Sequence, residues 1–194
     1  MTTHKLIIAG FGGQGVMLIG QMIAYAAMLE GKEVTWMPSY GPEMRGGTAN
    51  CTVIVSDRKI NSPIVSEATS VIVMNLPSLV RFENMVVPGG KLFVNRSLIK
   101  EKPKRDDIDV YYIDANEIAA GLHNDKVANM VILGAVVSVT GVVELESIIK
   151  VMDKIFIGNK SKLILLNKQA LTALGSYIVK HERGEMVYCG NGTV

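Results

Sequence analysis

Two stretches of the chain carry groups whose types and spacing could do chemistry. The first is Gly10-Phe11-Gly12-Gly13-Gln14-Gly15, the Gly-x-Gly-x-x-Gly spacing that wraps a dinucleotide when a strand precedes it and a helix follows. Glycines permit a tight turn and close backbone approach, and the helix N-terminus offers free N–H groups to an anion. A dinucleotide site also wants an acid about 20 residues on, for the ribose hydroxyls. That region reads Thr35-Trp36-Met37-Pro38, with neither an acid nor an arginine in its place. Three readings stay open. The chain is a free-standing nucleotide- or flavin-binding oxidoreductase; or the glycines only let a helix pack closely; or the loop faces a phosphate-bearing cofactor held mainly by another chain. A P-loop is excluded, because no Lys-Ser/Thr closes the segment.

The second stretch is Pro38-Ser39-Tyr40-Gly41-Pro42-Glu43-Met44-Arg45-Gly46-Gly47-Thr48. It sets a hydroxyl, a phenol, a carboxylate and a guanidinium between stiff prolines and permissive glycines. Such a loop suits the outward display of Glu43 and Arg45. Equally, the two could pair with each other, a surface contact worth about 0–1 kcal/mol. No metal site is expected. His4, His123 and His181 lack ligand spacing, and two cysteines, Cys51 and Cys189, fall short of a four-thiolate zinc or iron–sulfur site. Cys51, on a β-type stretch, is expected to be a buried thiol rather than a nucleophile.

These loops need elements to hold them. Residues 5–9 form a short apolar strand, and residues 16–30 a helix stopped by Gly31 and apolar nearly all round, which asks for cover on several sides. Residues 33–37, 48–57, 71–74, 91–94 and 110–114 are further strand candidates. Asn75-Leu76-Pro77-Ser78 opens a helix, since proline fits the first turn. Residues 116–122, 127–140, 145–156 and 161–180 are helix candidates. Alternation of strands and helices predicts an α/β fold: one Rossmann-like domain over residues 1–194, with a mostly parallel sheet and a helical C-terminal part. In such a sheet, the loop after the second strand lies at the carboxyl edge, where ligands bind.

Composition narrows the function classes. A chain of 194 residues, 48% hydrophobic and 20% charged, can build a full core. A net charge of +2 gives no basic face for nucleic acid. The uncharged run 127–143 is shorter than the roughly 20 residues of a membrane span, and it includes Asn129, Ser138 and Thr140; a buried helix is expected. With no export signal and few cysteines, the cytoplasm is the expected compartment.

Taken together, the glycine loop and the Ser39-Tyr40-Gly41-Pro42-Glu43-Met44-Arg45-Gly46-Gly47-Thr48-Ala49-Asn50-Cys51 stretch resemble the gamma subunit of 2-oxoacid:ferredoxin oxidoreductases. Asn75-Leu76-Pro77-Ser78, Asn129-Met130 and the region of Asn167, Ala170 and Gly175 fit the same family, so the resemblance runs from about Lys5 to Tyr177. It implies a complex that decarboxylates a 2-oxoacid with thiamine diphosphate and Mg2+, acylates coenzyme A, and reduces ferredoxin through iron–sulfur clusters. The alpha and beta subunits, with a ferredoxin-like delta subunit, would hold those cofactors; this chain would bind none alone, be inactive alone, and self-associate when isolated. It implies that Gly10, Gly12, Gly13, Gln14 and Gly15 face the active-site region. It also implies that Ser39, Tyr40, Glu43, Arg45, Asn75 and Asn129 face the active site or an interface, with no catalytic residue here. The Ser39–Arg45 wording is closest to the 2-oxoglutarate branch, then the 2-oxoisovalerate branch. The Lys100, Lys102, Lys104 and Arg105 cluster is expected to be a solvated loop, with the phosphates of coenzyme A as the alternative.

Overall fold

The computed structural model describes residues 2–40, 47–156, 163–173, 178–182 and 185–188. Apolar runs without polar alternation become strands covered on both faces. β1 (Thr3–Phe11), β4 (Ala68–Val73), β5 (Val86–Asn95) and β6 (Asp109–Ile113) lie side by side and parallel. Their alternate residues feed two cores. Leu6, Ile8, Ile72 and Phe93 point to a face covered by α1 (Val16–Leu29), α3 (Ala115–Gly121), α4 (Ala128–Thr140), α5 (Leu145–Ile155) and α6 (Ile164–Thr172). Ile7, Ala9, Val71, Val73, Leu92 and Val94 point to the opposite face, covered by α2 (Leu76–Phe82) with Ile99 and Ile108.

An α/β domain is as expected, but the sheet is mixed rather than mostly parallel. The strand order is β2-β3-β1-β4-β5-β6-β7-β8. β2 (Glu33–Tyr40) and β3 (Thr48–Ser56) form an antiparallel hairpin, and β3 pairs antiparallel with β1. The physical reason is the shortness of the connection: a few residues can reverse a chain into an antiparallel neighbour, whereas a parallel one needs a long crossover. β2 extends beyond Met37, through Pro38, Ser39 and Tyr40. Proline is tolerated there because β2 is the edge strand. The C-terminal part also departs from a purely helical reading. α6 stops at Thr172, and β7 (Ile178–Glu182) and β8 (Glu185–Tyr188) add two antiparallel strands beyond β6. The β-branched pair Ile178-Val179 favours that outcome over a helix. Gly175 and Tyr177 lie outside the described residues.

The expectations for α2 and α4 hold closely. Asn75 caps α2, its Oδ1 accepting from the Ser78 N–H at 2.9 Å, with Pro77 in the first turn. In α4, every residue from Ala128 to Val137 is buried, and no described helix is long and apolar enough to cross a membrane. Burial of each large apolar side chain there stabilises the fold by about 1.5–3 kcal/mol. α1 is covered by the sheet, α4 and α5, but Tyr25, Met28 and Leu29 in its last two turns remain exposed.

A candidate functional edge at the strand carboxyl ends

After β1 the chain crosses over on one face of the sheet through α1, and after β4 it crosses on the other through α2. The crevice between the carboxyl ends of β1 and β4 is therefore the topological switch point, where α/β sheets bind ligands. The glycine loop and Asn75 border it, and the hairpin register brings the second stretch to the same edge. Tyr40 pairs with Ala49, and Ala49 with Gly10, so the end of β2 and the start of β3 lie at the same edge as the glycine loop. One backbone hydrogen bond joins the two loops, the Gly12 N–H donating to the Gly47 carbonyl at 3.0 Å.

Within the crevice the packing is close. A Cβ on Gly10 would lie 2.7 Å from Gln14 Oε1, 2.8 Å from Val16 Cγ2 and 2.9 Å from Met74 Cβ. The Gln14 side chain folds back into this space. Its Oε1 accepts from the Phe11 N–H at 2.7 Å and from Asn75 Nδ2 at 3.3 Å, while its Nε2 donates to the Met74 carbonyl at 3.3 Å. Gln14 thus ties the end of β1 to the end of β4 and takes up N–H capacity that a ligand's phosphate would use. Gly13, with φ +99°, has open space where a side chain would be. Gly15 caps α1 at φ +76°, and a Cβ there would collide with the Asn129 carboxamide, 2.8 Å from its Cγ.

Asn129 is the second residue of α4, is buried, and its Oδ1 has no hydrogen-bond partner. The N-terminus of α1 carries no side-chain cap and no acid in its first turn. The structure thus brings Gly10, Gln14, Gly15, Asn75 and Asn129 together. Ser39 and Tyr40 stand apart on the exposed end of β2. Glu43 and Arg45 lie outside the described residues. Behind the loop, Cys51 is buried and donates to the Val16 carbonyl at 3.6 Å. Burial pushes its thiol up to about 12, so it is no nucleophile.

A second polar corner, which the sequence reading did not single out, closes the carboxyl ends of β5 and β6. Asn95 is fully buried, its Nδ2 donating to Asn116 Oδ1 at 2.9 Å and its own Oδ1 unpartnered. Arg96 grips Asp114 with both arms of its guanidinium, the Nε arm at 2.8 Å. Ser97 Oγ accepts from the Asn116 N–H at 3.1 Å. A signal was present: a polar residue follows a buried strand directly in both Met74-Asn75 and Val94-Asn95. Among the described residues no group of three or more His, Cys, Asp or Glu could hold a metal ion. Among the described residues, the crevice between β1 and β4 offers carboxamides and backbone groups that can position a neighbour, rather than an acid, base or nucleophile.

Comparison with known proteins places this architecture. Residues 5–175 match the family model described as pyruvate ferredoxin/flavodoxin oxidoreductase. A ketoisovalerate oxidoreductase subunit VorA from Methanothermobacter marburgensis is 36% identical over 183 residues, 93% of this chain. This chain spans only 38% of that relative's length. A 2-oxoglutarate synthase subunit KorC from Methanocaldococcus jannaschii is 33% identical over 165 residues, covering 83% of this chain and 88% of its own. The crystal structure of a keto/oxoacid ferredoxin oxidoreductase gamma subunit from Geobacter sulfurreducens superposes with a TM-score of 0.76 at 27% identity, over 88% of this chain and 93% of that one. The chain belongs to the pyruvate ferredoxin/flavodoxin oxidoreductase family, with the domain that its relatives carry as gamma, KorC and VorA subunits.

Proposed function

We propose that this chain is the gamma subunit of a multi-subunit 2-oxoacid:ferredoxin oxidoreductase, which decarboxylates a 2-oxoacid, forms an acyl-coenzyme A and reduces ferredoxin. The observation that carries the reading is the switch-point crevice itself. It is built and held by Gln14 and by the Gly12–Gly47 bond, yet among its described residues there is no group able to act as acid, base or nucleophile. A face so organised and so inert suits a subunit that completes a neighbour's active site. Two cysteines are too few to hold a four-thiolate iron–sulfur cluster, and Gln14 Oε1 occupies the Phe11 N–H that a phosphate at the glycine loop would otherwise use. The alpha and beta subunits, and a ferredoxin-like delta subunit, hold thiamine diphosphate, Mg2+ and the iron–sulfur clusters in this reading, in a cytoplasmic complex.

For the substrate we put 2-oxoglutarate first and 2-oxoisovalerate second, on the Ser39-to-Arg45 wording. Relatives named for ketoisovalerate and for 2-oxoglutarate stand at 36% and 33% identity, which supports a side-chain pocket made largely by other subunits.

Co-expression with matching alpha and beta chains tests the proposal. Expected are co-elution on gel filtration and a large gain in acyl-coenzyme A formation with ferredoxin reduction. An alpha–beta complex that works equally well without this chain, and leaves it in a separate peak, overturns the reading. Purified chain carrying flavin or NAD(P) at near one per molecule would replace it with the free-standing oxidoreductase.

A further inference from the structure

Beyond the crevice, the carboxyl end of the sheet holds a cavity of about 310 Å³ between β6 and the 96–102 segment. Its apolar lining is Ile99, almost wholly buried, and the ring of Tyr112. Its polar lining is Arg96, Lys100, Lys102, Asp114 and Glu117. Asp114 is taken up by the two-armed pairing with Arg96, which fixes that guanidinium in place. Lys100 lays one N–H on the Arg96 carbonyl at 3.1 Å, which leaves two of its three ammonium donors for other partners. Lys102 stands exposed at the same rim. Burial raises the Tyr112 phenol above its ordinary value, against the opposing effect of Arg96, so it stays protonated and can donate.

We propose that this cavity binds a small phosphate monoester, with the phosphate between Lys100, Lys102 and the Tyr112 hydroxyl and the ester's body against Ile99 and the tyrosine ring. The Arg96–Asp114 pair cancels, which leaves Lys100 and Lys102 against Glu117 and a net excess of one positive charge that favours an anion. The volume lies at the small end of the range for ligand sites, which suits a mononucleotide or a sugar phosphate. Lysine ammonium groups recognise phosphate as point charges. Glu117 is the opposing feature, since its carboxylate borders the same space.

The test uses the full chain and does not depend on its role in a complex. Amide spectra are recorded while AMP, ribose 5-phosphate or inorganic phosphate is added. Expected are saturable shifts confined to residues 96–117, weakening as salt is raised. K100E/K102E lowers affinity about tenfold or more, and E117Q strengthens it about two- to threefold, because a unit charge near a surface site shifts binding on that scale. Both lysines are exposed, so the fold should survive, as circular dichroism will verify; K102Q offers a milder loss in the same direction. AMP binding much tighter than ribose 5-phosphate identifies a nucleotide, and equal binding a sugar phosphate. Shifts centred on the glycine loop, inorganic phosphate matching both esters, no saturation at millimolar ligand, or affinity unchanged in K100E/K102E overturns the proposal.

Discussion

The two connections at the carboxyl edge are built on opposite physical principles. The corner after β1 and β4 uses no charge: Gly10, Gln14, Gly15, Asn75 and Asn129 are held by close approach and by carboxamides sharing backbone groups. The connection between β5 and β6 is dominated by charge, with Arg96 on Asp114, Lys100 on the Arg96 carbonyl, and Arg105 on Asp107. Packing of the first kind is short-ranged and unforgiving, because interiors cannot absorb an extra methyl cheaply. Ion pairs of the second kind are only partly buried, so they are screened and individually weak. The uncharged corner is therefore where small changes unfold or misalign the edge, and the charged connection is where changes tune binding.

The largest effect expected from this contrast is at Gly15. Gly15→Ala combines a side chain at φ +76° with a collision against Asn129 and should cost about 3 kcal/mol or more in a urea titration. Gly13→Ala has the positive φ without the collision and should cost about 1–2 kcal/mol. Equal costs would mean that strain alone, rather than the Asn129 contact, makes this corner unforgiving. Next comes Gln14→Ala, which removes the partner of a part-buried Phe11 N–H and should cost about 1–3 kcal/mol. Gln14→Glu keeps the acceptor but turns a carboxylate oxygen toward the Met74 carbonyl, so it should fall between wild type and Gln14→Ala or below both, never above wild type. A Gln14→Glu chain as stable as wild type would show that the Met74 bond contributes nothing.

The same contrast marks what the sequence could disclose. Backbone demands are local, so the glycine loop, the Pro77 helix start and the apolar α4 stand in the residue pattern itself. Gln14 was legible as part of a motif but not as a stitch, because its partners Met74 and Asn75 lie 60 and 61 residues away. Asn129 could be singled out, yet its contact with Gly15 depends on how α4 packs on α1. The hairpin was half visible: strand propensity was plain on both sides, but its antiparallel register rests on Tyr40 pairing with Ala49 across a stretch rich in turn residues. In the charged connection, the sequence shows which residues are ionised and not which of them meet. Arg96 and Asp114 are 18 apart and owe their pairing to the parallel register of β5 and β6.

A smaller effect on folding is expected at Asn129. Its Oδ1 is already buried and unpartnered, so Asn129→Ala should change stability by no more than about 1 kcal/mol. In the proposed complex the crevice that Asn129 packs beneath meets a neighbouring subunit, and there the same substitution should weaken assembly on gel filtration. If the variant folds poorly yet assembles normally, Asn129 belongs to the packing of α1 against α4 and not to the interface.

The smallest effect lies in the charged connection, at Asp107. The Arg105 guanidinium that donates to it holds its carboxyl below the ordinary carboxylate value of 3.8. A carboxylate with a depressed folded-state pKa contributes stability that is fully present above the unfolded value and is lost as pH falls through the folded one. The pairing should therefore be constant from neutral pH down to about 4 and fade only below 3.8. Other carboxylates protonate in the same range, so the informative quantity is the difference between wild type and Asp107→Asn. That difference should be small and salt-sensitive at pH 7, unchanged at pH 5, and shrink toward zero in stronger acid. A difference that persists undiminished into acid would show that the Asp107 side chain stabilises this segment through hydrogen-bond geometry with Arg105 and not through its charge. The charged connection would then be held in the same manner as the glycine corner, and the division between the two would fail.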